Sequence, residues 1–590
     1  MAAEPGDDRP TDWAGLIRTM QTMWQSAGES AGDGRAEQAF LTDPAKLVEM
    51  VQAFLGGFPK LSEEQGRHLW EDGLRLFETV LGQYGIGPAA AGEKAQSADL
   101  PRSDPRFSDP AWRETPLFAL LHQAYLLVGE RVPELISESP ALEPRRQEQL
   151  AFAAGALIDA LSPANFPLTN PVALDRVTKT GGQSLVRGME NLLADMQRGQ
   201  LTHSDPEAFT IGENIATTPG KVIHQTHLYQ LIQYTPVTEK VLKVPLVIFP
   251  AWINRFYILD LTERKSFVRW ALEQGISVFM VSWKSADEGM ADIAWDDYVA
   301  AQIEAVELVC ARLKVPSAHV AGYCVAGTTL AATLAVLARR GDEGIVKSAT
   351  FLTAQADFSE PGDLGHFADD AMIATVERLG QRGYVDGRYL AATFNLLRGK
   401  DLIWSHVERN YLLGEDRSAF DLLHWNGDVT NLPVTWLRDY LRDLYRDNRL
   451  VEPDALSACG EPIDLRKIET PSFIHAARED HIAPPGSVWR LMNHLAGPRE
   501  FLLAGSGHIA GVVNPPAAGK YQYWTGDDTA LALDAFIASA VEHKGSWWPH
   551  WADWLKSHDA TEIAARGKRN PGGRGDTIVE DAPGSYVETR

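Results

Sequence analysis

Cys324 stands in a short, glycine-bounded segment whose residue types could form a catalytic nucleophile. Residues 322–327 read Gly-Tyr-Cys-Val-Ala-Gly and lie between a predicted strand and a predicted helix. A nucleophile elbow, usually Gly-x-Ser-x-Gly, has this setting, because the strained turn needs small neighbours to lift the nucleophile above the sheet. The turn also directs the backbone N–H of the next residue, Val325, at the reacting oxygen. The pattern predicts acyl transfer through a cysteine.

The second glycine position of this motif holds Ala326, and its single methyl group is small enough for the turn to survive. A thiol needs a base to become a thiolate near neutral pH, and an imidazole or a helix N-terminus favours the anion. Cys310 and Cys459 lack the strand–turn–helix setting and are predicted to be core cysteines.

The acid and the base are predicted from chain order, which in α/β-hydrolases runs nucleophile, acid, histidine. Asp480 follows the predicted strand 471–476, and His508 follows the predicted strand 500–504. We therefore predict that Asp480 and His508 complete a triad with Cys324.

Other residues compete for these roles. Glu479 or Asp357 could replace Asp480 as the acid. His481 is a weak candidate for the base, because its side chain should point away from that of its neighbour Asp480. His475 lies within a predicted strand and is interpreted as a core or sheet-face residue.

A second oxyanion donor is expected in the loop after an early strand. That loop is 250–254, and the backbone N–H of Trp252 or Ile253 is the candidate donor, with Ile253 preferred. The alternative is that this loop only packs the core.

The surrounding pattern alternates between strands and helices, which predicts βαβ units and a parallel sheet. Helices are predicted at about 261–274, 293–313, 325–340 and 527–543. The short apolar runs typical of buried strands are 244–249, 277–282, 317–322, 347–353, 471–476 and 500–504.

These elements predict an α/β-hydrolase-type catalytic domain over residues 201–590, preceded by a mainly α-helical N-terminal domain over 1–200. Residues 358–445 interrupt the alternation and are predicted to be a cap inserted into the sheet domain. Residues 84–110 have the composition of a linker, and residues 566–590 that of a mobile tail.

Composition excludes some function classes. The chain has 590 residues and a formal net charge of -24, so its surface repels nucleic acid and anionic lipid at long range. Three cysteines argue against a disulfide framework, and no zinc-type spacing is present. There is neither a signal-peptide pattern nor an apolar run of about 18 residues, so a cytoplasmic protein without a transmembrane segment is expected. An apolar face at 12–25 predicts a docking helix or a helix that attaches to an apolar particle.

Several motifs together resemble the polyhydroxyalkanoate synthases, most closely class I. The resemblance covers about residues 105–590, and the elbow of that family usually has glycine where Ala326 stands. Its motifs are the cysteine-bearing elbow and the segments 162–166, 249–261, 281–283, 420–433, 478–482, 506–516 and 545–549.

This resemblance implies an acyltransferase that polymerises an (R)-3-hydroxyacyl-coenzyme A, typically 3-hydroxybutyryl-CoA, through an acyl-cysteine on Cys324. It implies a homodimer associated with polyester granules, with no cofactor and no metal, since coenzyme A is part of the substrate. Trp425 is expected to be a cap or channel residue, or to serve only in cap packing. The alternatives are a cysteine-dependent esterase or thioesterase and a non-catalytic granule-coating protein.

Overall fold

The computed structural model describes residues 62–87, 102–139 and 142–590, and the chain divides into two compact units. One unit comprises residues 1–203 with 392–418, and the other comprises 204–391 with 419–590. The predicted insertion 358–445 is therefore not one piece, because residues 392–418 group with the helical unit. The predicted helix at 12–25 and the centre of the predicted linker 84–110 lie outside the described residues.

The first unit is helical in its described part. Ser62 caps the helix that begins at Glu63: the Ser62 hydroxyl accepts from the backbone N–H of Gln65, while the Gln65 side chain accepts from the N–H of Ser62. Among the described residues, no helix is both long and apolar enough to cross a membrane. The α-helices are α1 (Glu63–Gln83), α2 (Ala111–Glu114), α3 (Pro116–Ser137), α4 (Pro144–Ala160), α5 (Pro171–Lys179) and α6 (Gln183–Arg198).

A buried carboxylate organises the end of α6 within this unit. Asp195 accepts hydrogen bonds from His406 Nε2 at 3.0 Å, the Tyr411 hydroxyl at 2.8 Å and an Arg417 guanidinium nitrogen at 3.0 Å. Burial raises the pKa of Asp195, but hydrogen bonds, led by that from His406, outweigh this effect and lower the pKa to about 2. The charged form of Asp195 therefore ties residues 406–417 to α6.

The second unit is built on an eleven-stranded sheet. Its strands are β1 (Gly220–Gln225), β2 (Tyr229–Tyr234), β4 (Leu246–Phe249), β5 (Val278–Trp283), β6 (Ala318–Tyr323), β7 (Val346–Leu352), β12 (Ser472–Ala477), β13 (Arg499–Ala504), β14 (Gln522–Thr525), β15 (Val541–Lys544) and β17 (Glu580–Asp581). Short pairs elsewhere are formed by β3 (Lys240–Leu242) with β16 (Glu562–Ala564), β8 (Tyr384–Val385) with β9 (Leu432–Pro433), and β10 (Ser457–Ala458) with β11 (Glu461–Pro462).

The order of strands across the large sheet is β15-β14-β13-β12-β7-β6-β4-β5-β2-β1-β17. The six strands from β13 to β5 in this order are parallel, and antiparallel strands extend the sheet on both sides.

The predicted parallel sheet is confirmed, and each predicted strand corresponds to one of β4, β5, β6, β7, β12 and β13. These strands are buried on both faces, so they appear in the sequence as continuous apolar runs. The antiparallel strands at the sheet edges were not predicted. The sequences of β14 and β15 lack a continuous apolar run, because the residues of these two strands are only partly buried or are exposed.

Helices connect the parallel strands as the pattern predicted. One prediction is wrong in part: the helix expected at 527–543 spans only Leu533–Ser539 and is followed by a strand, because residues 541–544 pair with β14. The α-helices are α7 (Phe267–Glu273), α8 (Trp295–Leu313), α9 (Val325–Arg340), α10 (Asp370–Leu379), α11 (Gly387–Leu397), α12 (Asp421–Gly427), α13 (Val434–Asp439), α14 (Pro485–His494), α15 (Leu533–Ser539) and α16 (Trp548–His558).

The prediction of a mobile tail at 566–590 is wrong. Arg569 is buried and donates to the carbonyl oxygens of Leu242 and Lys243 at 2.9 and 2.5 Å. Asp576 accepts two hydrogen bonds from the Arg312 guanidinium, at 3.0 and 2.6 Å. The polar composition that suggested a tail instead supplies partners for charged and main-chain groups on the sheet unit.

Candidate active site

Cys324 lies between the end of β6 and the start of α9, where the sequence predicted the elbow. Its backbone has φ +54° and ψ -127°, a left-handed region that costs about 1–3 kcal/mol for a residue with a Cβ. The backbone N–H of Cys324 donates to the Leu352 carbonyl at 2.9 Å, which fixes the turn against β7. Val325 is the first residue of α9, and the first N–H groups of a helix have no partner within it.

The close approach of strand and helix at this turn falls on Gly322 and Gly327. A Cβ on Gly322 would lie 2.6 Å from the Gly327 Cα, and a Cβ on Gly327 would lie 2.4 Å from the Ala354 Cβ. Ala326 is fully buried in the core, and its carbonyl accepts from Gln302 Nε2 at 3.0 Å. Space for the Ala326 methyl therefore exists, and the glycine that the turn needs is Gly327.

The Gly327→Ala variant is expected to lose about 2–4 kcal/mol of unfolding free energy, because backbone at residue 322 and the packed Ala354 methyl cannot move aside together. The Ala326→Gly variant is the matched control and should lose only about 1–2 kcal/mol. Urea unfolding followed by tryptophan fluorescence measures both. Equal losses in the two variants would contradict the assignment of the close approach to Gly327.

His508 and Asp480 come together at the carboxyl edge of the sheet. His508 Nδ1 lies 2.7 Å from Asp480 Oδ2, and both side chains are buried. β12 and β13 are parallel and in register, with Ala477 opposite Ala504, so the loops that follow them start side by side. This register is what brings two residues 28 positions apart into contact.

The Asp480 carboxylate is held in place by its own loop. Its Oδ1 accepts from the backbone N–H groups of Ile482 and Ala483, both at 2.9 Å, which leaves Oδ2 for His508. The His508 ring stacks on the Tyr323 ring, with centroids 5.5 Å apart. The imidazole is thus oriented from two directions.

The surroundings of His508 favour its protonated form. Burial lowers the pKa of His508, but the charges of Asp480 and Cys324, with the hydrogen bonds to both, raise it well above the usual range. Cys324 and Asp480 thus both act on His508, which is the relation between nucleophile, base and acid that catalysis by a cysteine needs.

The competing residues lie in different settings. Glu479 is exposed. Asp357 accepts from His494 Nε2 at 3.0 Å and from Asn448 Nδ2 at 3.0 Å, so its carboxylate is engaged away from His508. His475 is fully buried within β12, where burial lowers its pKa to about 4, as expected for a core histidine.

The other two cysteines lie away from the elbow. Cys310 is buried in α8, and burial together with the Glu307 charge raises its pKa to about 11. Cys459 is half-buried, and burial followed by the Asp296 charge raises the pKa of its thiol. Both environments disfavour a thiolate.

The predicted oxyanion loop follows β4, which pairs with β6 so that Phe249 lies opposite Gly322. The loop therefore starts beside the elbow. Thr430 Oγ1 donates to the Trp252 carbonyl at 2.5 Å, and the N–H of Ile253 points the other way in the same trans peptide. The Trp252 ring stacks on Tyr298 at 3.9 Å in the core, so this geometry favours Ile253 as the donor.

Trp425 lies in α12 and is buried, with 5% of its surface exposed. Its indole N–H donates to the Arg255 carbonyl at 2.7 Å, and its ring packs in the apolar cluster that Cys324 and Leu422 also contact. These contacts hold the loop after β4 against α12.

Two buried phenols near the nucleophile were not predicted. Tyr440 and Tyr445 lie on a π-helical segment, Tyr440–Arg446, with ring centroids 5.5 Å apart. Burial, followed by charges that include that of Cys324, raises the pKa of each phenol. Gln355 Nε2 donates to the Tyr445 oxygen at 3.1 Å, which leaves the Tyr445 hydroxyl proton to be donated elsewhere. Their signal in the sequence was only the aromatic content of residues 358–445.

No group of three or more His, Cys, Asp or Glu side chains that could hold a metal ion occurs in the described ranges.

Comparison with known proteins agrees with this geometry. Residues 103–271 match the family described as the poly-beta-hydroxybutyrate polymerase (PhaC) N-terminus, and residues 244–515 match the alpha/beta hydrolase fold. A poly(3-hydroxyalkanoate) polymerase from Methylorubrum extorquens is 42% identical over 94% of this chain and 89% of its own length. The poly(3-hydroxyalkanoate) polymerase subunit PhaC of Rhizobium meliloti is 40% identical over 96% of this chain and 91% of its own length. The corresponding subunit of Cupriavidus necator is 37% identical over 99% of this chain and 96% of its own length.

The similarity extends over nearly the whole of this chain. Relatives at this identity, aligned over nearly the whole of both chains, establish common membership. The chain therefore belongs to the poly(3-hydroxyalkanoate) polymerase family.

Proposed function

We propose that this chain polymerises (R)-3-hydroxyacyl-CoA, in particular 3-hydroxybutyryl-CoA, into a polyester with release of coenzyme A. The observation that carries the proposal is the buried Asp480–His508 pair, which interacts electrostatically with a cysteine on a nucleophile elbow, in a chain of this family. Each acyl group passes through a thioester on Cys324.

In the first half of the cycle, the Cys324 thiolate attacks the carbonyl carbon of the acyl-CoA thioester. The tetrahedral oxyanion accepts hydrogen bonds from the backbone N–H groups of Val325 and Ile253. The carbon–sulfur bond to coenzyme A then breaks, and the proton on His508 passes to the departing thiolate. The products are an acyl-cysteine and free coenzyme A, and His508 is left neutral.

In the second half, the 3-hydroxyl of another unit or of the growing chain attacks the acyl-cysteine. Neutral His508 takes the hydroxyl proton, and the Cys324 thiolate leaves as the ester bond forms. A thioester on cysteine is about as activated as the incoming substrate, whereas the product is an oxygen ester, so transfer runs downhill. Water must be kept out, and the buried aromatic side chains around Cys324 support this.

Asp480 is proposed to orient His508 and to stabilise its positive charge. Its Oδ1 is occupied by two backbone N–H groups and its Oδ2 by His508 Nδ1, and this supports orientation over direct contact with the attacking hydroxyl. The hydroxyl then loses its proton to His508 Nε2.

The Tyr445→Phe variant is expected to slow coenzyme A release about 5- to 20-fold. The Tyr445 oxygen already accepts from Gln355, so the substitution removes a hydroxyl proton that can be donated near Cys324 while the ring remains. The control is Tyr229→Phe, which also deletes a buried phenol hydrogen bond, here to Glu304 at 2.9 Å, away from the elbow. Steady-state kinetics with 3-hydroxybutyryl-CoA measures both. Equal loss in the two variants would assign Tyr445 a packing role only.

The test of the function gives the purified protein 3-hydroxybutyryl-CoA and follows free thiol together with the size of the product. Thiol release with high-molecular-weight polyester is expected. Thiol release with only 3-hydroxybutyric acid would identify a thioesterase instead. Absence of thiol release would favour a non-catalytic coating protein.

We also propose the class I properties that the resemblance implies: short-chain substrates, a homodimer and association with polyester granules in the cytoplasm. Near-full-length alignment with the polymerase subunits supports a chain of this type. Exposed apolar side chains on α1, Trp70, Leu74 and Phe77, offer one surface for contact with an apolar particle. Acyl-CoAs of increasing chain length, light scattering and sedimentation with polyester granules test these three properties separately.

A further inference from the structure

The oxyanion loop, residues 250–255, is held by a buried arginine at its end. The Arg255 side chain is 1% exposed, and its Nε donates to Asp428 Oδ1 at 3.4 Å. Its Nη1 donates to the Tyr586 carbonyl at 3.2 Å, and its Nη2 donates to the Thr589 carbonyl at 2.6 Å. A buried guanidinium is stable only when its donors are paired, so residues 586 and 589 are required where they lie.

Asp428 is shared between the same elements. Its Oδ2 accepts from the Tyr257 hydroxyl at 2.8 Å, and its Oδ1 also accepts from the Arg590 guanidinium. Residues 585–590, named here the 585–590 clamp, therefore supply two acceptors to Arg255 and one cation to Asp428. The clamp closes a buried network around the loop after β4.

The clamp is itself anchored to the sheet. Val587 is 1% exposed in the apolar core, the Tyr586 N–H donates to Gln230 Oε1 at 3.1 Å, and the Tyr586 hydroxyl donates to the Thr226 carbonyl at 2.5 Å. These contacts join it to β2 and its preceding turn. Arg255 is thus tied, through the clamp, to a fixed point on the sheet.

The opposite side of the loop is held by residues 425–430. Trp425 donates to the Arg255 carbonyl, Thr430 donates to the Trp252 carbonyl, and Asn254 pairs with Val429 in an isolated bridge. Since the Trp252 carbonyl and the Ile253 N–H belong to one peptide plane, these bonds set the direction of that N–H. The loop is gripped between 425–430 and the clamp.

We propose that the 585–590 clamp is a positioning element of the acyl-transfer site, which acts through Arg255 and Asp428 to hold the Ile253 N–H where the oxyanion forms. This inference rests on the proposed function for the identity of the acyl donor. Loss of the clamp leaves Arg255 short of acceptors, so its side chain and the loop shift. A misdirected donor weakens transition-state binding while the thiolate and its base stay in place.

The test separates oxyanion stabilisation from nucleophile reactivity. One variant lacks residues 588–590, which removes the Thr589 carbonyl and Arg590 but keeps Tyr586 and Val587; a second is Arg255→Lys, which keeps a cation beside Asp428. The control is Arg574→Ala, an exposed arginine of the same region. Three rates are compared: coenzyme A release from 3-hydroxybutyryl-CoA, the acylation burst with p-nitrophenyl acetate, and alkylation of Cys324 by iodoacetamide.

Alkylation passes through no oxyanion, so it reports the thiolate alone. We expect the shortened variant to lose about 10- to 100-fold in the burst rate and in kcat, with alkylation of Cys324 within about twofold of the unmodified protein. Arg255→Lys should show the same separation, and Arg574→Ala should change none of the rates.

Two results would overturn the proposal: unchanged acylation in both variants, or parallel losses of acylation and alkylation, which would show support of the whole fold. If the shortened chain does not fold, Arg255→Lys decides by the same comparison. The p-nitrophenyl acetate burst reports acylation of Cys324 whatever acyl-CoA is used. A chain that shows the burst but releases no coenzyme A would contradict the proposed function without touching the clamp.

Discussion

The Cys324→Ala variant is expected to release coenzyme A from 3-hydroxybutyryl-CoA at least about 10⁴-fold more slowly than the unmodified protein. The reason is that His508 and the backbone N–H groups have no nucleophile left to activate. The measurement is thiol release under saturating substrate, with the acyl-enzyme followed by intact-protein mass. A residual rate within about tenfold of the unmodified protein would remove Cys324 from the mechanism.

The matched controls for this prediction are Cys310→Ala and Cys459→Ala, since both thiols lie outside the elbow. Each should keep the rate within about threefold of the unmodified protein. Folding is checked in parallel by thermal unfolding. A further variant, Cys324→Gly, should be about 1 kcal/mol more stable than Cys324→Ala, because glycine tolerates the φ of +54° that strains any residue with a Cβ.

The second large effect is expected from Asp480→Asn, which should lower kcat about 10²- to 10⁴-fold. The asparagine keeps the shape of the side chain but removes the negative charge that holds the His508 pKa above its usual range. With that charge absent, the pKa of His508 falls, so His508 becomes a weaker base toward the Cys324 thiol.

The reactivity of the Cys324 thiol tests this variant more directly than kcat does. Alkylation of Cys324 by iodoacetamide near neutral pH should be slower in Asp480→Asn than in the unmodified protein, because a His508 of lower pKa is a weaker base toward the thiol. Asp357→Asn is the matched control, because that carboxylate pairs with His494 instead. An unchanged alkylation rate in Asp480→Asn would contradict the assigned role.

The same coupling has a sign in stability. A histidine whose pKa is raised in the folded state stabilises the protein below its unfolded pKa, and this contribution is lost as pH rises through the folded value. Asp480→Asn should therefore lose more unfolding free energy at acidic and neutral pH than at high pH. Urea unfolding over that pH range measures the difference.

The amino-acid sequence by itself determined the parallel sheet, the elbow and the positions of Asp480 and His508 relative to it. Buried strands are continuous apolar runs, and parallel strands end at one edge, so side chains that follow them must converge. The glycines of the elbow can also be recognised from the local sequence. Only the packing against Ala354 shows that strand and helix approach most closely at Gly327 rather than at position 326.

Tertiary structure decided what depends on partners far apart in the chain. The Tyr445 hydroxyl oxygen accepts from Gln355, which lies 90 residues earlier in the chain, and no local spacing predicts such a contact. Residues 392–418 join the helical unit, where Asp195 binds His406 across 211 positions. Residues 566–590 have the composition of a mobile tail, yet in the structure they form hydrogen bonds with buried carbonyl oxygens, with guanidinium groups and with Asp428. Charge pairing and burial between residues far apart in the chain are set by the three-dimensional arrangement, so local residue patterns do not predict them.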